Sequence, residues 1–179
     1  DVVSASWDDS RVAWYENTAG DGSAWTTHTI VTDATYAWGV HAADLNGDND
    51  VDVISGDDNK IAWYENTAGD ASAWTAHTIA TDAGSAYCVY AADLDGDGDL
   101  DVLAVSFDNN TIAWYENTAG DGSAWTAHTI TTDVNLPYST YAADLDDDGD
   151  LDVMSASAGD DKIAWYENTA GDGSAWTAR

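Results

Sequence analysis

Three observations predict an all-β fold built from repeated four-stranded units. The string Trp-Tyr-Glu-Asn-Thr-Ala-Gly occurs four times, starting at Trp14, Trp63, Trp114 and Trp165, in steps of 49, 51 and 51 residues. Ten Trp and nine Tyr, against only four Glu and four Lys plus Arg in 179 residues, favour strands over helices. Clusters of Asp, Asn and Gly break each unit into short segments, and these are the residues that turns require. Sheets of about 50 residues that repeat along a chain, with small residues on the first strand, describe the blades of a β-propeller.

The third unit shows each element in order. Its first strand is read as Val89–Asp93, where Ala91 and Ala92 suit the crowded axis on which blades converge and large side chains do not fit. Its second, Asp101–Val105, is almost continuously apolar, which predicts burial on both faces. The third and fourth are Thr111–Glu116 and Trp125–Ile130, whose Trp residues fill the wider space between blades. Turns are expected at 95–99, 108–110 and 119–122. The whole chain, 1–179, reads as one repeat domain. Further blades occupy 36–79, 86–130 and 137–179, the last stopping at Arg179 before the His-Thr-Ile of the other copies. A partial blade at 1–30 lacks its inner strand, because Asp1-Val2-Val3-Ser4 aligns with Asp101-Val102-Leu103-Ala104. The short first step has a local cause. Asp52 lies 11 residues before Trp63, whereas Asp1, Asp101 and Asp152 lie 13 before their Trp, so the hairpin at 57–60 is two residues shorter.

Charge and composition exclude several functions. Thirty-four acids against four bases give a formal charge of −30, a surface that repels nucleic acid and anionic membranes and attracts cations. No stretch reaches the ~20 apolar residues of a membrane helix. We therefore expect no nucleic-acid partner and no membrane insertion. The Trp, Val and Ile content argues against a disordered acidic chain. Cys88 is alone, so no internal disulfide can form, and it reads as a small core residue. The chain starts at Asp1 without Met, which suggests a processed or partial product. No catalytic set assembles. His28, His77 and His128 are equivalent positions on fourth strands and read as structural or solvent-facing. His41 lies on a first strand, and no His pair has zinc-ligand spacing. The serines sit in turns, and Arg11 and Arg179 are the only arginines. The Asp21-to-Trp25 turn and its copies faintly resemble the Asp-box of sialidases, a structural turn, but the arginine cluster of that chemistry is missing. The expectation is a protein that is not an enzyme.

Three Asp-rich loops carry the chemistry. The clearest runs through Asp93, Asp95, Asp97, Asp99 and Asp101, with Gly98 at its sixth position. Calcium takes six to eight oxygen ligands, and alternate acids on a tight loop supply them. The seventh position would offer its backbone carbonyl, and Asp101 would close the site from the second strand. The other copies run through Asp44, Asn46, Asp48, Asp50 and Asp52, and through Asp144, Asp146, Asp148, Asp150 and Asp152. In the first of these Asn46 replaces an acid and Asn49 replaces the turn glycine, so that site is expected to be the weakest. An EF-hand is excluded, since position 12 is Ser55, Ala104 or Ser155 and the flanks are strands. One ion per loop gives three calcium ions per chain.

The unit resembles the VCBS/FG-GAP family of propeller repeats. The resemblance rests on the Asp-x-Asp-x-Asp-Gly-x-x-Asp loop, on Ala-Ala-Asp-Leu before it and on Ile-Ala-Trp-Tyr-Glu-Asn after it, and it covers nearly the whole chain. It implies calcium between the first and second strands, a secreted or cell-surface location, and a role in adhesion or carbohydrate binding. The Phe-Gly and Gly-Ala-Pro signatures of integrins are missing, so an integrin-like partner is not implied. Some fungal lectins share this repeat family.

Two functional expectations follow. In the first, the chain is a calcium-stabilised, lectin-like binding module. Trp38, Tyr87 and Tyr138, equivalent positions just before the first strands, are the ligand candidates, and Trp7 and Phe107 are equivalent in the hairpin between strands two and three. Aromatic faces suit the apolar faces of sugars. In the second, it is a structural or assembly module without a small ligand, natural or designed, as the near-identity of the copies suggests. The exposure of Trp38 discriminates between them. An arc of blades would leave two Trp-rich faces uncovered, so a homodimer closing a ring of about eight blades is favoured over a closed four-bladed monomer or a fragment of a longer propeller.

Overall fold

The computed structural model describes residues 1–179 and contains only strands, turns and loops. The first sheet holds β1 (Val2–Ser6), β2 (Arg11–Glu16) and β3 (Thr26–Val31). The second holds β4 (Gly39–Ala43), β5 (Asp52–Gly56), β6 (Ile61–Glu65) and β7 (Thr75–Ala80). The third holds β8 (Ala86–Ala92), β9 (Asp101–Ser106), β10 (Thr111–Asn117) and β11 (Trp125–Thr131). The fourth holds β12 (Pro137–Ala143), β13 (Asp152–Ser157), β14 (Lys162–Asn168) and β15 (Trp176–Ala178). Every sheet is an antiparallel meander in chain order, so each is one propeller blade and the first lacks its inner strand. None of the elements is a helix able to cross a membrane.

Burial follows the apolar pattern. All of β5 and all but the last residue of β9 are buried, because these strands lie mid-sheet with a neighbouring blade on each face. The cores form between sheets. Val12, Ala34, Val53 and Tyr64 join the first two blades. Leu45, Ile61, Trp63 and Val102 join the second and third, and Leu94, Ile112, Trp114 and Val153 join the third and fourth. No core joins the fourth blade to the first. Ile163 is 86% exposed, while its counterparts Val12, Ile61 and Ile112 are 0–1% exposed. The four blades thus form an open arc.

The first strands correct one expectation. Ala91 and Ala92 are buried, yet the row across these strands also holds His41, Tyr90 and Tyr141, with ring centroids 4.7 and 4.8 Å apart. Large side chains do fit there, because the arc does not converge on a closed axis and Tyr141 keeps half its surface open. The shortened hairpin is as expected. Asp57 N–H donates to the Lys60 carbonyl at 2.9 Å, and the Asp57 carboxylate accepts from the Asn59 and Lys60 amides at 3.1 and 2.7 Å.

Candidate functional site

Strand register separates two loop faces. Ala92 pairs with Asp101 and Ala86 with Ser106. The Asp loops and the turns between third and fourth strands therefore share one end of each blade. The hairpins between second and third strands, with the entries to the first strands, share the other.

At the first end, one carboxylate per blade ties the loop to the sheet. Asp52, Asp101 and Asp152 are 0–1% exposed. Each accepts at one oxygen from the amide of Leu45, Leu94 or Leu145 (3.1, 2.9 and 3.1 Å). Each accepts at the other from the amide of Asn66, Asn117 or Asn168, all at 2.9 Å. Asp1 holds the Asn17 amide in the same way at 2.8 Å. Burial pushes the Asp52 carboxyl up to about 6 and that of Asp101 up to about 7; their amide donors oppose the shift, and neighbouring loop acids add to it. Desolvation also raises Asp95 and Asp146.

The loops gather oxygen donors to different degrees. Carboxylate oxygens of Asp93, Asp95 and Asp101 lie within 4.8 Å of one another, as do those of Asp144, Asp146 and Asp148. In the first loop Asp44 and Asn46 both accept from the Asp48 amide at 3.1 Å. Asp97 in the second loop and Asp152 in the third stand outside the tightest groups. The seventh-position side chains of Asp50, Asp99 and Asp150 lie against Gly69, Gly120 and Gly171 of the adjoining turn, where a Cβ would collide with them. Sequence spacing alone could not show that orientation. Asn49, Gly98 and Gly149 all have positive φ (73, 101 and 100°), so Asn49 does stand in for the turn glycine. A strain that spacing did not flag sits in the third loop. Asp147 has φ 63° where Gly47 and Gly96 have 74 and 77°. The donor set is hard oxygen throughout, which fits calcium.

The remaining polar motifs of this end are structural. In each Asp-box-like turn the carboxylate of Asp21, Asp70, Asp121 or Asp172 is held by the hydroxyl of the Ser two residues on and accepts from that Ser's amide at 2.9–3.0 Å; the hydroxyl first and the amide second lower its pKa. Each fourth-strand Trp donates its indole N–H to the carbonyl three residues back, at 2.8–3.1 Å. His28, His77 and His128 stack on Trp14, Trp63 and Trp114 at 4.2–4.5 Å and meet Glu16, Glu65 and Glu116 at 2.7–3.0 Å.

The opposite end carries a ladder of rings across four blades. Trp7 meets Tyr36 at 5.2 Å and Trp38 at 5.7 Å. Trp38 meets Tyr87 at 4.4 Å, and Tyr87 stacks on Phe107 at 4.4 Å. Tyr138 lies 5.1 Å from Tyr87 and 5.2 Å from Phe107. Trp7, Tyr36, Trp38 and Tyr138 are 40–52% exposed. Tyr87 and Tyr138 are the extra residues at β-bulges, where register slips between Ala86 and Cys88 and between Pro137 and Ser139. Bulges re-aim side chains and concentrate at functional edges. Asp58 and Asp108 flank the ladder and share the Ser85 hydroxyl, at 3.4 and 2.6 Å. Tyr36, a member of the ladder, was not among the sequence candidates. Its signal was its place two residues before Trp38, at a position where Ser85 and Leu136 take the same positive φ.

No curated protein matches the chain. Among solved structures, an Agrocybe aegerita lectin, described as specifically recognising non-reducing terminal N-acetylglucosamine, is similar over 95% of this chain and 46% of its own, with 21% identity and a TM-score of 0.63. The chain therefore spans about half the length of that lectin, and the likeness is one of fold. The FG-GAP-like repeat model matches residues 1–55, 44–104 and 98–155, each match starting near a second strand or the loop before it. These repeats cover most of the sequence, and the chain belongs to the FG-GAP-like repeat family.

Proposed function

We propose that the chain is a calcium-stabilised extracellular binding module, not an enzyme, and that its aromatic face takes carbohydrate. The observation that carries this reading is the exposed ladder from Trp7 to Tyr138, set by two bulges and flanked by Asp58 and Asp108. Ring faces receive the C–H faces of a sugar, and carboxylates accept its hydroxyls. Trp38, Tyr87 and Tyr138 are the contacts we assign. The lectin neighbour supports a sugar in the same general sense. Calcium would be held by Asp93, Asp95, Asp97 and Asp101 with the carbonyl of Asp99, and by the corresponding groups of the other loops. Family membership supports both the ion and the extracellular placement. In this reading the chain also pairs with a second copy.

A glycan array with the purified chain in calcium tests the proposal. Binding to a defined sugar class, lost in Trp38→Ala and in Tyr138→Ala with thermal stability unchanged, is expected. An array blank at high protein concentration would instead favour the structural module, the reading supported by the near-identity of the repeats.

A further inference from the structure

Asn46 is the one asparagine of the chain that glycine follows; Thr, Asp, Lys, Asn or Leu follows every other. The backbone nitrogen of the next residue can attack an asparagine at Cγ. A side chain on that residue obstructs the approach, and glycine has none.

The first Asp loop arranges the reacting groups. The Gly47 N–H, the nucleophile, donates to Asp44 Oδ1 at 2.9 Å, so a carboxylate stands within reach of the proton that must come off. Asn46 Oδ1, where negative charge develops as Cγ is attacked, accepts from the Asp48 N–H at 3.1 Å, a donor it shares with Asp44. Asn46 Nδ2 donates to Asp48 Oδ2 at 3.0 Å, so the amide is held at both ends. Gly47, at φ 74°, is exposed, and a Cβ built on it would meet nothing within 4 Å, so water reaches the reacting bond.

We propose that the first loop deamidates its own Asn46. Asp44 takes the Gly47 proton, the bond from Gly47 N to Cγ forms, the bond from Cγ to Nδ2 breaks, and the proton departs with that nitrogen as ammonia. The cyclic imide that remains takes up one water. Opening at Cγ yields aspartate, opening at the main-chain carbonyl yields isoaspartate, and nothing is oxidised or reduced. Aspartate at position 46 is what Asp95 and Asp146 already supply to the grouped carboxylates of the other loops. Isoaspartate instead adds a methylene to the backbone inside the loop. One product therefore completes the acid set of the first loop, and the other breaks it. The consequence for calcium rests on the ion reading above; the modification itself does not.

Peptide mass spectrometry of the full chain, aged at mildly alkaline pH in chelator and digested for readout, tests it. Position 46 should gain the mass of an amide-to-acid exchange several-fold faster than any other asparagine. Asp44→Asn keeps an oxygen for the Gly47 amide but removes the base, and should slow the exchange several-fold with the circular dichroism unchanged. An Asn46 that stays intact while the same chain unfolded in urea converts, or an Asp44→Asn chain that converts as fast as the wild type, would overturn the proposal. The two products separate by chromatography, and native mass spectrometry at limiting calcium then reads each. The aspartate product should fill its first loop at several-fold lower calcium than the fresh chain, as Asn46→Asp should, and the isoaspartate product should bind one ion fewer. Conversion with the same ion count in every form would overturn the link to calcium. A chain that binds no ion in any form would refute the ion reading and leave the deamidation standing.

Discussion

Asp101 is held by two forces of opposite sign. Burial favours its neutral form and raises its pKa to about 7, while the amides of Leu94 and Asn117 favour the carboxylate. An unfolded Asp titrates near ~3.9. Between those values the folded, ion-free chain holds a proton that the unfolded chain has released. Its stability therefore falls as pH rises through that window. Calcium requires the carboxylate, so ion affinity runs the other way. Calorimetry should show calcium binding weaker by on the order of tenfold at pH 5.5 than at 7.5. After chelation, the melting temperature should be higher at pH 5 than at 7.5, and Asp101→Asn should flatten that difference. A pH-independent affinity would refute the assignment. Asp147 offers a separate test. At φ 63° it occupies a conformation that its glycine counterparts adopt freely. Asp147→Gly should stabilise the chain by about 1 kcal/mol in urea denaturation, and a loss of stability would show that the side chain does more than fit.

Elements test the packing between blades. Gly122 has φ 72° and lies under Trp63, so Gly122→Ala adds a clash to a strained backbone. Gly22 has nearly the same φ, 81°, with only its own Trp25 within 4.0 Å. The difference between Gly122→Ala and Gly22→Ala in monomer stability isolates the clash and should be about 1–3 kcal/mol. Equal costs would mean that the Trp ring moves aside freely. At this scale the sequence was legible wherever repetition supplied the register. The strand read as Val89–Asp93 is Ala86–Ala92, starting earlier because the bulge at Tyr87 adds a residue and ending earlier because Asp93 turns into the loop. The two-residue deletion at 57–60 was legible because everything around it keeps period. The bulges, the turning away of Asp99 and the tilted packing of Tyr90 between His41 and Tyr141 were not. Each depends on the backbone path or on how far apart two blades stand, and neither quantity is written in the spacing of residue types.

At the scale of the whole molecule, charge and shape oppose each other. A chain of charge −30 gathers 15 of its 34 acids into three loops at one end of the arc, and no basic residue stands among them. Monovalent salt screens such repulsion over about 8 Å at physiological strength without entering the loops. Three divalent ions would do more, lowering the formal charge from −30 to −24 while tying each loop to its sheet. For a Kd near ~10⁻⁴ M, saturation at a hundredfold excess stabilises by roughly 2.7 kcal/mol per site, or roughly 8 kcal/mol for three. A chain of this size should then melt on the order of 15–30 °C lower in chelator than in calcium. Sodium chloride at equal ionic strength should recover only a small part of that difference. Native mass spectrometry should count three ions per chain, and two in Asp95→Ala, which removes one of the grouped carboxylates of the second loop. The first loop, with Asn46 and Asn49, should fill last in a titration. A melting temperature indifferent to chelator, or one restored by sodium alone, would mean that the acidic loops are held by their own hydrogen bonds and that calcium has no structural part in this propeller.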